Sequence, residues 1–262
     1  MFLNLENTRY MQYVGALSAT LSNTAMGMYA TWASPALSIL QSEDSPLGRP
    51  IDHEEGSWIV SLPKLAAVPA SIIGGWLVEK IGRKHSLLIA GILLFLPWLM
   101  IIFGTSIWIL YAARFIAGLG NGVVIIGCSI YNAEIAENDI RGKLGSIAIV
   151  LRLVGSLLTL SVGPHVSYTV LAIISATVPV IFICIYFFMP ESPYYLVKAK
   201  KPEEAEKSLR ILSSKSVSDK FFKERIMEIE QSIEEDMRNK TTLWEFFSNA
   251  NYRRAIYIMI GK

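Results

Sequence analysis

The chain has 262 residues, of which 52% are hydrophobic and only 18% charged, and its formal net charge is +2. With a positive mean hydropathy, this make-up excludes a water-soluble domain and points to an integral membrane protein.

The charges are segregated along the chain. Residues 10–42, 86–113, 115–133 and 153–190 contain no Asp, Glu, Lys or Arg, and each run is near or above the roughly 20 residues a helix needs to cross the hydrocarbon core. Gly104-Thr105-Ser106 and Gly163-Pro164-His165 supply turns inside the apolar sequence. Six spans are predicted, at residues 11–38, 57–78, 86–104, 108–132, 144–163 and 167–189. The expected fold class is an all-α membrane protein, a six-helix bundle followed by cytosolic amphipathic helices.

Span one lacks the charged n-region, short apolar core and small-residue cleavage site of a secretory signal, so it is expected to act as its own insertion signal. The loop after it carries Arg49 among Glu43, Asp44, Asp52, Glu54 and Glu55. Span two contains one charge, Lys64, whose long stem can snorkel to the interface. Lys80 to His85 are read as a tight hairpin between spans two and three, with Glu79, Lys80, Arg83 and Lys84 crowded at the membrane surface around Gly82. Trp58, Trp98 and Trp108 lie near span ends, as interfacial anchors do. Span four holds Arg114 about six residues from its outer end, and Gly118, Gly120 and Gly122 suit close helix contacts. The Gly118-Leu119-Gly120-Asn121-Gly122 run resembles a phosphate loop, but it lies in an apolar span with no strand before it, so nucleotide and nucleic-acid binding are excluded.

Cys128 and Cys184 both fall in spans, which excludes a disulfide framework or a zinc site. Glu134, Arg141 and Gly142 follow span four, and Glu191 follows span six. Arg152 sits about eight residues into span five, roughly 12 Å at helical rise. Ile149, Arg152 and Ser156 share one helical face. An intramembrane Arg faces a bundle interior or a water-filled cavity, and no span contains an acid to pair with it. Three readings stay open for Arg152: an ion pair outside these spans, donation to substrate hydroxyls, or an anionic substrate.

After Pro190 a charged segment begins. Lys201-Pro202-Glu203-Glu204 reads as a helix start, with Ala205, Leu209 and Leu212 as its apolar stripe, and a second helix is expected from Phe221 to Arg238. At Tyr252 a new apolar run opens and reaches Gly261, which reads as the start of a seventh span cut short. The domain division is therefore 1–190, a transmembrane bundle; 191–251, a cytosolic helical linker; and 252–262, the first residues of a truncated span.

Lys and Arg of the short loops collect on one side, at Arg9, Lys80, Arg83, Lys84, Arg141, Lys143, Lys198, Lys200 and Lys201. That bias puts the N-terminus in the cytosol. Six charges of both signs at one face can pair into a latch holding the inner helix ends together.

With these residues in place, the chain resembles the N-terminal half of a sugar porter of the major facilitator superfamily. The resemblance rests on Gly75 through Glu79-Lys80-Ile81-Gly82-Arg83-Lys84, on Arg114-Phe115 with Gly118 and Gly122, on Tyr131 to Glu134 with Arg141-Gly142 and Gly145, and on Pro190-Glu191-Ser192-Pro193. Through Gly27 to Leu37 of span one it is most similar to insect facilitated trehalose transporters. The resemblance implies half of a twelve-helix fold and facilitated passage of a sugar, trehalose or a hexose, by alternating access. It also implies a missing C-terminal six-helix half as partner, a plasma-membrane location and no cofactor or metal. Glu79, Lys80, Arg83, Lys84, Glu134, Arg141 and Glu191 would be its cytosolic gating charges, Gly75, Gly82, Gly142 and Arg114 its structural motif residues, and Ile149, Arg152 and Ser156 its candidate substrate-binding face.

Two departures from the family pattern stand out. Ser129 occupies the place of a usual Pro, from which a changed bend in span four is expected, and Ile149 replaces a sugar-binding Gln. In the family's proton-coupled members an acid in span one works with the Arg of span four; here the matching place is near Tyr29, so uniport is expected. A membrane enzyme is disfavoured because no His, Cys and acid converge. The alternative carried forward is a truncated, non-transporting isoform that regulates a full-length partner.

Overall fold

A computed structural model describes residues 2–136, 138–213 and 219–238 of the chain. Its regular structure among these residues is helical, joined by short connections: α1 Phe2–Thr31, α2 Ala33–Leu40, α3 His53–Ile81, α4 Arg83–Phe103, α5 Ile107–Ile135, α6 Asn138–Val162, α7 Tyr168–Tyr186, α8 Pro193–Lys198, α9 Pro202–Leu212 and α10 Asp219–Arg238, with a 3-10 turn at Gly163–His165. The chain divides into a compact unit ending at Val217 and a second from Ser218, of which α10 is described. The expected seventh span, 252–262, lies outside the described residues.

Five helices, α3 to α7, are long and apolar enough to cross a membrane by length and composition. The 30-residue α1 is more polar than these five, and it buries Ser18, Thr20, Ser22, Asn23 and Thr24. Their hydroxyls need no outside partner where they donate to carbonyls one turn back, as Ser18 does to Gly15 (2.7 Å), Ser22 to Ala19 (2.6 Å) and Thr20 to Ala16. Polarity turned inward in this way makes α1 a bundle helix.

Local chemistry explains where the boundaries depart from expectation. Span one breaks at Trp32, because Pro35 lacks a donor and its ring conflicts with the carbonyl one turn back. A capping box starts α3 early: Asp52 accepts the Glu55 N–H at 2.7 Å, and the Glu55 carboxylate accepts the Asp52 N–H at 3.2 Å. Arg49 forks onto the same carboxylate at 2.9 and 2.5 Å, which pushes its own pKa above the ordinary arginine value. The hairpin expected over Lys80–His85 is shorter than that. Helix continues to Ile81 and resumes at Arg83, so Gly82, with φ +94°, is the whole connection.

In the bundle, α3 packs along α5, α4 lies between α5 and α7, and α1 contacts α5, α6 and α7. Around Tyr131, Phe182, Tyr186, Leu87 and Leu94 a first core forms at the basic end, joined by Leu212 of α9. Tyr29, Trp32, Trp98, Leu40 and Tyr168 make a second core at the acidic end. Trp98 is therefore no interfacial anchor: it is fully buried, with its ring 4.5 Å from Tyr29 and 6.1 Å from Trp32. Trp58 and Trp108 are exposed. The expected stripe Ala205, Leu209 and Leu212 is the buried face of α9. In α10, Ile226, Ile229 and Ile233 form the less exposed side. Ser129 lies within an unbroken α5 and donates to Ile125 O at 2.8 Å.

Glycine sets the closest helix approach. A Cβ on Gly27 of α1 would overlap the Arg152 carbonyl oxygen and lie 3.1 Å from Ser156 N; one on Gly155 of α6 would overlap the Thr24 carbonyl and lie 3.1 Å from Met28 N. The two helices thus interlock reciprocally, backbone on backbone. Outward, Val68 and Ile72 of α3 and Leu153 and Leu157 of α6 are well exposed, an apolar surface that fits lipid or further helices rather than water.

Gly27→Val and Gly155→Val are each expected to destabilise the bundle by about 1–3 kcal/mol through overpacking. Gly75→Ala, where nothing lies within 4 Å, should hold or raise stability. Unfolding midpoints of the three variants in one detergent check this.

Candidate functional site

The first amides of a helix have no acceptor within it and carry the positive end of its dipole. At the start of α4 a carboxylate from the connection between α7 and α8 fills that role. Glu191 Oε1 accepts from Arg83 N at 3.0 Å, both its oxygens accept from Lys84 N at 3.1 Å, and Ser192 N donates to Oε1 at 2.8 Å. Gly82 makes this possible in two ways. Its left-handed φ suits glycine, and any Cβ there would overlap the Glu191 carboxylate and come within 2.8 Å of Tyr195 Cε1.

The Arg83 side chain turns the other way, to α5. Its Nε and Nη2 meet Glu134 Oε2 and Oε1 at 2.8 and 2.5 Å, and Nη1 donates to the Val78 carbonyl at 3.1 Å. Only 4% of the Arg83 side chain and 12% of that of Glu134 are exposed, so this is a nearly dry, bidentate pair. Ser192 Oγ donates to Glu134 Oε2 at 2.5 Å, and the Tyr195 ring lies 5.3 Å from the guanidinium. Three further bonds gather the surrounding chain: Tyr131 Oη to Pro190 O at 3.0 Å, Tyr195 Oη to Lys80 O at 3.2 Å, and Ser208 Oγ to Glu191 O at 2.5 Å.

Of the seven residues expected as cytosolic gating charges, Arg83, Glu134 and Glu191 form one bonded cluster. Glu79 belongs to an exposed rim pair with Lys198 at 3.2 Å. Lys84 takes part through its backbone, while its ammonium lies 5.6 Å from the Phe187 ring and that of Lys80 lies 4.5 Å from Trp76. Arg141 is exposed and makes no ion pair among the described residues, and Gly142 beside it touches nothing within 4 Å. Ser192, Tyr195 and Ser208 are participants that sequence reasoning missed. Ser192-Pro193 carried a readable signal as the cap and first residue of α8, but not its reach to Glu134.

Two cations lie deeper. Arg114 is 2% exposed; its Nε donates to Ile59 O at 2.9 Å and Nη1 to Tyr29 O at 3.0 Å, with the Tyr29 and Trp32 rings at 4.8 and 5.4 Å. Arg114 thus caps two backbone carbonyls, one on α3 and one on α1. Arg152 donates from Nη2 to Asn23 Oδ1 at 3.1 Å, a partner on α1 that spacing did not suggest. The face named with it separates: Ile149 is 63% exposed, and Ser156 Oγ is engaged by Gly27 O at 3.1 Å.

Among known proteins, the family described as "Sugar (and other) transporter" matches residues 51–261. The facilitated trehalose transporter Tret1 of Apis mellifera ligustica is 28% identical over 253 residues, covering 96% of this chain and 49% of that protein. The Tret1 of Polypedilum vanderplanki is 28% identical over 206 residues, 79% of this chain and 41% of the relative. Among solved structures, the fold is similar to the proton:xylose symporter XylE bound to 6-bromo-6-deoxy-D-glucose, with a TM-score of 0.72 and 20% identity over 88% of this chain and 55% of that one. The inward open XylE of E. coli gives 0.70 and 21%, over 85% and 56%. The chain thus spans about half the length of the curated relatives it matches.

Glu134→Gln, which leaves Arg83 buried without its counter-charge, is expected to cost about 3–5 kcal/mol. Ser192→Ala should cost about 1 kcal/mol, and Arg141→Ala no more than about 0.5. Denaturation midpoints of the purified variants test this order.

Proposed function

The chain belongs to the sugar (and other) transporter family, and on that premise we propose that it forms the N-terminal six-helix half of a facilitative sugar carrier working by alternating access. Residues 1–190 are its bundle, 191–251 the linker to the second half, and 252–262 the start of the seventh span. The protein lies in the plasma membrane with its N-terminus in the cytosol, as the excess of Lys and Arg on one side supports. Trehalose, the compound in the relatives' names, and hexoses are the candidate cargo.

The observation that carries this reading is the cluster of Arg83, Glu134 and Glu191. It fastens the start of α4, the end of α5 and the exit of α7 at the basic face. A half whose inner ends are tied in this way moves as one body, which suits rocking of one bundle against another around a central site. Arg83 and Glu134 gate by keeping that end rigid, Glu191 by holding the linker against it. Of the candidate face, Arg152 is the residue directed at the cargo; Ile149 and Ser156 lie along the same helix, the first exposed and the second bonded to α1. No acid lies within the six spans, which favours uniport over proton coupling.

Radiolabelled trehalose and glucose uptake in oocytes is the test, comparing this chain with the longest product of its transcript. Uptake by the longer form alone is expected. Uptake that rises steeply with an imposed inward proton gradient would overturn the uniport reading.

A further inference from the structure

Arg152, half-buried, is held differently from the two buried arginines: Arg83 has the Glu134 carboxylate. Arg114 has two backbone carbonyls and two aromatic faces around it. Among the described residues Arg152, near the middle of α6, has a single neutral acceptor, Asn23 Oδ1, and its Nε is buried with no hydrogen-bond partner. Asn23 is itself 4% exposed and spends its amide nitrogen on Cys128 Sγ at 3.2 Å. A guanidinium stays charged at any accessible pH, and a neutral amide does not neutralise it. With no Asp or Glu in any of the six spans, none of the described residues at this depth balances the charge.

The position is fixed as well as unbalanced. The Arg152 carbonyl abuts Gly27 of α1, and the neighbouring Gly155 abuts Thr24, so the backbone cannot carry the side chain toward either membrane surface. Half-buried at mid-span, the guanidinium is incompatible with lipid and must open onto the bundle interior or a watery cavity.

We infer that Arg152 and Asn23 form an anion subsite of the cargo cavity and that this carrier takes a carboxylate-bearing sugar, a hexuronic acid, with the carboxylate on Arg152. The inference rests on the sugar-carrier reading and changes its cargo from a neutral to an acidic sugar. The carboxylate accepts from Nε and a terminal nitrogen of Arg152 in the paired geometry a guanidinium offers. Asn23 keeps the remaining terminal nitrogen in place.

The test is equilibrium binding of radiolabelled glucuronate, glucose and trehalose to the purified protein, in the longest form its transcript encodes, held in lipid nanodiscs. Wild type is compared with Arg152→Gln and Arg152→Lys, each checked for monodisperse elution. Glucuronate should bind in preference to glucose, Arg152→Gln should weaken it about tenfold to a hundredfold and remove that preference, and Arg152→Lys should retain part of the affinity. Equal glucuronate affinity in wild type and Arg152→Gln overturns the inference, as does displacement by chloride with no preference for glucuronate over acetate. Binding of glucose or trehalose without glucuronate overturns it and leaves the carrier reading intact; binding of none of the three overturns both.

Discussion

Glu191 reaches from the end of one helix to the first amides of another and, in doing so, closes the basic end of the bundle. Arg83 stands at the same junction facing the opposite way, with its amide on Glu191 and its guanidinium on Glu134. One residue therefore joins α4 to both α5 and the segment after α7. A buried ion pair is a weak source of net stability, because desolvation offsets most of the attraction. What it supplies here is geometry: two carboxylates have one arrangement that satisfies Arg83, the α4 N-terminus and the Ser192 hydroxyl together. The tyrosines and serines around it extend that order into α8 and α9.

Away from this end, cohesion has another source. Lipid tails are as apolar as leucine, so burial gives little preference for helix over lipid, and close packing of small residues takes over. The α1 and α6 interlock through Gly27 and Gly155 works in this way. Gly118 and Gly122 do the same for α5 against α3, where Ala66, Ala67 and Ala70 receive them. Arg114 fits among aromatic rings because their faces carry negative potential, which lets a cation sit in the apolar core without a carboxylate.

Much of this was legible in the sequence, because a bilayer imposes a length on apolar runs and excludes charge from them. The six long helices and the basic end follow from that alone. The errors arose where depth along a span was used for direction around it. Trp98 lies near a span end, as an interfacial Trp does, but Leu87, Leu94, Trp98 and Ile101 recur on one helical stripe, and the stripe faces inward. Arg141 carries the right sign at the right level and points outward. The hairpin at Gly82 is shorter than its run of charges suggests, because those charges belong to the helix ends. Pairings such as Arg152 with Asn23, or Ser192 with Glu134, join residues far apart in the chain and follow only from the packing.

The single-residue connection at Gly82 bears on how such a bundle can move. Adjacent Cα atoms of a trans chain are about 3.8 Å apart, so the ends of α3 and α4 share a tether with almost no slack. Loops of ordinary length let two helices slide or separate before the chain draws taut; this one does not. Any displacement of α3 at the basic face is passed to α4 at once as a change of angle about a fixed elbow, and the carboxylate seated on that elbow turns with it.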